Sequence, residues 1–188
     1  DVACGVGLCA GGTTACRGDG LGIRCSTTGS VAAETCNGQD DDCDGLTDAA
    51  DGGDLLANDL RLCDVQSGVC SGAAKAAERC LDGTWVACSA SDYFARSALY
   101  EGNAETSCDG LDNDCDGSAD EDFSHTMLDG RSVSGVGQAC GSGGCSGGLT
   151  ACRSDAAGID CPSESAAVAE ACNGVDDDCD GLTDAADG

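Results

Sequence analysis

Aromatic side chains are nearly missing from this sequence, which has two Phe, two Tyr and one Trp in 188 residues. A single large oily core is thereby excluded, because Ala and Cys dominate the 41% hydrophobic fraction and bury little area each. Basic residues are scarce as well, 8 Lys and Arg against 35 Asp and Glu, for a net charge of −27. That balance excludes nucleic acid as a partner, since phosphate binding needs clustered Lys and Arg. An anionic membrane surface is excluded for the same reason. No run is fit to insert into a bilayer: the longest uncharged stretch, Ser132 to Cys152, is rich in Gly and Ser rather than apolar. There is no Asn-x-Ser/Thr acceptor for N-linked sugar, although Ser26-Thr27-Thr28 could carry O-linked glycans.

Cysteine is what the chain has in excess, 18 residues that fall into three sets of six. An even count at this density marks a disulfide scaffold and an oxidising, extracellular compartment. It also argues against the disorder that such acidity alone would favour. Residues 1–52 and 137–188 align without a gap at an offset of 136, with 33 identities in 52 positions, so the third set restates the first. The sets are Cys4, Cys9, Cys16, Cys25, Cys36 and Cys43; then Cys63, Cys70, Cys80, Cys88, Cys108 and Cys115; then Cys140, Cys145, Cys152, Cys161, Cys172 and Cys179. Three modules follow: 1–52, 53–122 with an insertion at 89–107, and 123–188 with its leading linker. Six cysteines leave the pairing open, but every bond is expected to close inside its own module.

The expected fold class is small and disulfide-rich, mostly irregular and β with little helix: tandem short β-hairpins and metal loops in an elongated array. Hairpin signals are Thr13 to Cys25 around Gly18-Asp19-Gly20, and Cys80 to Cys88 around Asp82-Gly83, a strong short-turn pair. In the insertion, Ser91 or Asp92 is expected to cap a short helix ending at Gly102, with Tyr93, Phe94, Leu99 and Tyr100 packing on the hairpin of Trp85. Gly52 to Leu62 reads as a linker whose Leu55, Leu56, Leu60 and Leu62 can bury against a neighbour, and Phe123 to Ala139 as a second linker.

The most ordered pattern is acidic. Residues 36–51 read CNGQDDDCDGLTDAAD, and numbered from Asp40 they set Asp40, Asp42, Asp44, Asp48 and Asp51 at loop positions 1, 3, 5, 9 and 12, with Gly45 at 6. This is the ligand spacing of an EF-hand-type calcium loop, in which position 7, here Leu46, lends its backbone carbonyl. Ca²⁺ takes about six to eight oxygens at ~2.3–2.6 Å, so the chain must wrap around the ion. Gly45 permits the sharp turn that a Cβ would obstruct. Without the ion the crowded carboxylates repel, and the loop is expected to open. The third module repeats the full pattern with Asp176, Asp178, Asp180, Gly181, Leu182, Asp184 and Asp187. The second has Asp112, Asp114, Asp116, Gly117, Ser118 and Asp120, but Phe123 stands at position 12. Glu121 or Asp122 must close that site, which predicts a weaker or water-completed ion. About one Ca²⁺ per module, three or more in total, is therefore expected. Glu34, Glu105 and Glu170 flank the loops and fit a ligand or a surface role equally. The Cys-x6-Cys frame of each loop is not the spacing of zinc sites, and ordinary solvated turns need no fixed Asp-x-Asp-x-Asp-Gly order.

At Cys108-Asp109-Gly110-Leu111-Asp112-Asn113-Asp114-Cys115-Asp116-Gly117 the chain resembles the MopE-type metal-binding repeats of secreted bacterial proteins. Gly83-Thr84-Trp85-Val86-Ala87-Cys88 resembles the same family, and the acidic run alone is similar to thrombospondin type 3 calcium repeats. The resemblance implies metal binding and a secreted or cell-surface location. The family name also implies copper, which favours imidazole and thioether ligands, yet the chain offers one His and one Met, His125 and Met127, in what reads as a solvated linker.

Catalysis is not expected, since His125 has no evident nucleophile partner and the cysteines are expected to be oxidised. Gly141-Ser142-Gly143-Gly144 sits between cysteines as a turn, not as a phosphate loop. The expected function is an extracellular, calcium-stabilised structural repeat protein, a segment of a fibre, filament or stalk that self-associates or continues as the same repeat. A calcium-dependent adhesin shaping a surface for glycans or protein, and a copper-sequestering domain, are the alternatives. The start at Asp1 without Met, and ends that fall inside the repeat pattern, are expected of a mature or internal piece of a longer polymer. No paired amphipathic helices flank the loops, so each reads as a stiffened joint and not as a switch.

Overall fold

Runs this short, cut by glycine turns and cysteines, can form only short strands. In the computed structural model, which describes residues 2–29 and 31–184, β1 (Ala3–Cys4), β2 (Gly12–Cys16) and β3 (Ile23–Cys25) form an antiparallel three-stranded sheet. Four two-stranded pairs follow: β4 (Cys80–Leu81) with β5 (Thr84–Trp85), β6 (Ser124–Thr126) with β7 (Ser132–Ser134), β8 (Ala139–Cys140) with β9 (Gly148–Leu149), and β10 (Ala151–Cys152) with β11 (Ile159–Asp160). Both expected hairpins are present. In the β4–β5 turn Asp82 and Gly83 have φ of 49° and 74°, the left-handed pair that a two-residue hairpin requires. The described residues contain two α-helices, α1 (Gly52–Asn58) and α2 (Ala90–Arg96), and neither is long and apolar enough to cross a membrane. The disulfide-rich, mostly β and irregular class read from the sequence is the one found.

The presumed linkers are structured. The first is α1, whose Leu55 is fully buried with Ala77 and Cys80 while Trp85, Leu56 and Cys36 pack around them. The second holds the β6–β7 hairpin, and Met127 just after β6 is buried with Cys140 and Cys161 against Val133. The segment containing His125 and Met127 is therefore not a solvated linker. Helix α2 stops at Arg96, six residues short of Gly102. Its start is fixed by Asp92, whose Oδ2 accepts the Ser89 amide at 2.7 Å and the Ser89 hydroxyl at 3.0 Å, a reciprocal cap in the third helical position. Beyond it a turn takes over, with the Leu99 amide donating to Ser97 Oγ at 3.2 Å. Of the insertion's large side chains, Tyr93 is buried and Phe94 and Leu99 are exposed.

Eight disulfides follow one rule. The first cysteine of each set pairs with the fourth, as Cys4–Cys25, Cys63–Cys88 and Cys140–Cys161. The second pairs with the sixth, as Cys9–Cys43, Cys70–Cys115 and Cys145–Cys179. The fifth leaves its module and pairs with the third of the next, as Cys36–Cys80 and Cys108–Cys152. This corrects the expectation of bonds confined to modules. It also corrects the expectation that all cysteines are bridged, because Cys16 and Cys172 are free. The physical reason lies in the hairpins: β4 carries Cys80 onto the face beside α1 and Cys36, so the nearest sulfur to a third cysteine belongs to the module before it.

The chain divides into two compact units, residues 1–64 with 72–96, and residues 65–71 with 97–188. Each disulfide lies within one unit. The repeat read from sequence and the compact unit are thus out of register: the hairpin of the second module belongs with the first acidic loop, and its own loop belongs with the third module.

Candidate metal centres

Each acidic loop is tied to the body at its first aspartate. The short turn before the second cysteine, Gly7–Cys9, Gly68–Cys70 or Gly143–Cys145, lies flat against Asp40, Asp112 or Asp176. The amide after its glycine donates to that aspartate's carbonyl: Leu8 to Asp40 at 3.1 Å, Val69 to Asp112 at 3.0 Å and Gly144 to Asp176 at 2.7 Å. The glycines have φ of 53°, 47° and 49°, and a Cβ on any of them would overlap the aspartate. The bonds Cys9–Cys43, Cys70–Cys115 and Cys145–Cys179 then lock the turn to the middle of the loop. Sequence reading saw these glycines only as turn formers.

Inside the loops the hydrogen bonds repeat from copy to copy. Asp40 Oδ2 accepts the Gly45 amide at 3.1 Å, Asp42 Oδ1 the Asp44 amide at 3.1 Å, and Asp44 Oδ1 the Leu46 amide at 2.8 Å. Asp112, Asp114 and Asp116 bond Gly117, Asp116 and Ser118 at 3.1, 3.1 and 2.8 Å. Asp176, Asp178 and Asp180 bond Gly181, Asp180 and Leu182 at 3.1, 3.3 and 2.8 Å. These bonds curl the backbone and converge the side chains. One carboxylate oxygen from each of Asp40, Asp42 and Asp44, and likewise from Asp112, Asp114 and Asp116, comes within 4.8 Å of the others.

The second oxygen of each first aspartate is where the geometry points to a cation. Asp40 Oδ1, Asp112 Oδ1 and Asp176 Oδ1 are buried without a hydrogen-bond partner. So is Asp51 Oδ2 at loop position 12 and, in the second loop, Glu121 Oε2. Of the two candidates for closing that loop, Glu121 thus presents the free oxygen, whereas Asp122 Oδ2 accepts the Glu105 amide at 2.7 Å. Buried carboxylate oxygens without donors are costly unless an ion compensates them. The charges feel one another: burial, then Asp44, Asp54, Asp42 and Glu34, raise the carboxyl of Asp51 above its ordinary range. Asp114 is raised by burial and by Asp116, Asp122 and Asp112. Glu121 is lowered by its own amide, but burial and Asp116, Asp122 and Asp114 outweigh that and raise it.

Position 9 has a different task. Asp48 Oδ1 accepts the amides of Asn37 and Gly38 at 2.9 and 3.1 Å. Asp120 bonds Asp109 and Gly110 at 3.0 and 2.9 Å, and Asp184 bonds Asn173 and Gly174 at 2.9 and 3.2 Å. These aspartates sit in the left-handed region, with φ of 46°, 58° and 49°, and they close the loop onto the fifth cysteine. Asp187 lies outside the described residues.

The flanking glutamates are inside, not on the surface. Glu34 is fully buried; its two oxygens accept the Asp41 and Asp48 amides at 3.0 and 2.9 Å and one comes within 4.8 Å of oxygens of Asp42 and Asp51. Glu170 repeats this with Asp177 and Asp184, both at 2.6 Å, and Glu105 accepts Asn113 at 2.8 Å. The signal that could have found them is their fixed place two residues before each fifth cysteine.

Soft ligands lie elsewhere. His125 Nε2 is bonded to Glu164 Oε2 at 2.8 Å, and Met127 Sδ accepts the Gly141 amide at 3.3 Å within a buried cluster. The loops themselves offer oxygen only, a donor set suited to hard cations and not to copper.

No curated protein and no solved structure matches the chain. The family model Cu-binding_MopE, described as "Putative metal-binding motif", matches residues 27–49, 95–121 and 162–185, which covers the three acidic loops up to their ninth or tenth positions. The chain is a repeat protein carrying three copies of the MopE-type metal-binding motif.

Proposed function

We propose that the chain is an extracellular structural repeat protein stabilised by calcium, a segment of a fibre, filament or cell-surface stalk. The observation that carries the metal part is the orphaned, buried oxygen of the first aspartate, repeated in all three loops. Calcium is favoured because the converging donors are all carboxylate oxygens, several per site and set on a backbone curled by a glycine, as this large hard cation prefers. Mg²⁺ demands a tighter octahedron and keeps its waters, and copper would seek nitrogen or sulfur. The structural part is supported by the way each loop is bolted at both ends, by one disulfide to its own turn and by another to the next hairpin. Such a joint gains rigidity from an ion and has no paired helices to swing open.

The experiment is calorimetric titration of chelator-stripped protein with Ca²⁺, Mg²⁺ and Cu²⁺, alongside thermal melting at fixed free calcium. Three bound ions should raise stability by about 4 kcal/mol per decade of calcium above Kd, roughly 1.4 for each site. Tighter binding of Cu²⁺ than Ca²⁺ at the loops, or identical melting in calcium and in EDTA, would overturn the reading.

A further inference from the structure

We propose that Cys172 of one chain and Cys16 of a second copy form a disulfide, so that chains join head to tail. This rests on the repeat-array reading above but not on the identity of the metal. Cys16 and Cys172 are the two free cysteines, and both are exposed. Neither is an arbitrary thiol. At both internal junctions the fifth cysteine of one module bonds the third of the next, Cys36–Cys80 and Cys108–Cys152, each across 44 residues. Cys172 is a fifth cysteine and Cys16 a third. The 136-residue offset carries Cys36 onto Cys172 and Cys16 onto Cys152. Each free thiol therefore has a bonded copy in the same chain, and each lacks the kind of partner that the other supplies.

Both ends are already shaped for the bond. On the donor side, Asp184 Oδ1 holds the amides of Asn173 and Gly174 at 2.9 and 3.2 Å, as Asp48 and Asp120 do beside the bonded Cys36 and Cys108. On the acceptor side, Cys16 faces Ile23 across β2 and β3, in the register in which Cys152 faces Ile159 across β10 and β11. Beyond that hairpin strand, the Cys108 amide donates to the carbonyl of Ala156 at 2.7 Å. The matching residue after Cys16 is Gly20, and both are left-handed, with φ of 56° and 72°.

A separate observation marks the Cys16 hairpin as a face that lacks its cover. Ile159 is 3% exposed in its junction, whereas its counterpart Ile23 is 71% exposed. Trp85, which faces Cys80 in the same way, packs into the cluster of Leu55, Ala77 and Cys80. A second copy is the partner whose chemistry fits, because only a fifth-position loop of this kind brings a cysteine framed by the Asn-Gly cradle. The contact is heterologous, one surface against a different one, and so generates an open series instead of a closed pair.

The chemistry is thiol–disulfide exchange with a small-molecule disulfide such as oxidised glutathione. The Cys172 thiolate attacks one sulfur, forming a mixed disulfide and releasing one glutathione thiol. The Cys16 thiolate of the second chain then attacks the Cys172 sulfur and expels the second. The two cysteines lose two electrons and two protons in all, and the small disulfide is reduced to two thiols.

The test uses the chain with native disulfides, incubated at high concentration in a glutathione redox buffer and resolved on non-reducing gels with peptide mass spectrometry. Wild type should give a ladder collapsed by mild reductant, with Cys172–Cys16 as the new cross-link. Cys16→Ser and Cys172→Ser should each stop the ladder, and their mixture should yield dimers but no trimers. Chains that stay monomeric, form Cys16–Cys16 or Cys172–Cys172 pairs, or close Cys16–Cys172 within one chain would overturn the proposal. Parallel samples in Ca²⁺ and EDTA, with bound calcium counted, separate the two readings. Calcium bound without the cross-link sinks this inference alone, and the cross-link without bound calcium sinks the calcium reading alone.

Discussion

Calcium in the first loop should be visible through Trp85, and the effect of one substitution can be worked out. Trp85 is the sole tryptophan; its indole N–H donates to Asp59 Oδ2 at 3.0 Å, and its ring packs on the cluster that contains Leu55. Leu55 sits in α1, which follows Asp51 directly, so ordering of the loop reaches the tryptophan. The other two loops lie in the other compact unit. Asp40→Asn removes one unit charge but keeps an oxygen. Attraction between that charge and a divalent ion at ~2.4 Å is about 3.5 kcal/mol in a water-like dielectric. Against this, the oxygens of Asp40, Asp42 and Asp44 lie within 4.8 Å of one another, and two repulsive pairs of about 0.9 kcal/mol each vanish with the substitution. The net loss is about 1.8 kcal/mol, a roughly 20-fold rise in Kd. The assay follows Trp85 emission while calcium is added to stripped wild type and Asp40→Asn, with Mg²⁺ as control. Asp112→Asn, in the second loop, should leave the curve unchanged. Emission that ignores calcium in the wild type, or a curve that Asp40→Asn does not move, refutes the reasoning.

Glu34→Gln should destabilise the calcium-loaded chain by about 2–3 kcal/mol, because an amide NH2 then faces a buried backbone N–H; the urea midpoint measures it, and an unchanged midpoint speaks against the glutamate as organiser. Gly7→Ala should weaken calcium binding as well as stability, since its methyl overlaps the first ligand residue, whereas Gly45→Ala meets nothing within 4 Å and should cost only the roughly 1 kcal/mol of left-handed strain; calorimetry on both variants tests the contrast. For Asp92, burial alone would raise the carboxyl, but the Ser89 amide and hydroxyl and Arg79 bring it below its ordinary range. Its folded value thus lies beneath the unfolded one of about 3.9, so its stabilisation is complete above that pH and lost as pH falls through the folded value. Asp92→Asn should melt earlier than wild type at pH 6, and the two curves should converge toward pH ~2–3; a gap that persists in acid would assign the effect to packing.

Much of the site was legible because oxygen ligands impose a spacing. The run from Asp40 to Asp51 could be numbered without coordinates, and in each loop the first aspartate does present a free buried oxygen. What the spacing hid was the division of labour among carboxylates. Asp48 looks like a ligand by count, yet its Oδ1 is spent on Asn37 and Gly38, while Glu34, outside the numbered loop, comes close to Asp42 and Asp51. A linear motif records which residues alternate, not which way a left-handed residue turns its side chain. The disulfide rule was hidden for a related reason. Pairing depends on how a hairpin packs against the preceding helix, and Leu55 against Trp85 is a contact between modules. The module boundaries were drawn from the repeat, which shows where similarity recurs and is silent on which neighbours pack.

The overlap of repeat and packing unit explains why metal and disulfide belong to one device. In the chain-entropy view, each junction bond closes about 44 residues and restricts the unfolded chain by about 4 kcal/mol, against about 3.3 for the hairpin bonds that span 21. The bonds between modules are therefore no weaker than those within them. A disulfide fixes two Cα atoms, however, and leaves rotation about them free. At the first junction that rotation is removed by the loop: Asp48 holds the two amides after Cys36, and Glu34 holds the amide of Asp48. Glu34 in turn lies beside Asp42 and Asp51, whose mutual repulsion pushes this small frame apart until a cation is present. Ion, glutamate, aspartate and cystine thus stand in series, and the same order recurs at Glu105, Asp120 and Cys108. Removing the ion should leave the modules tethered but free to swivel, which is the mechanical difference between a chain of links and a rod.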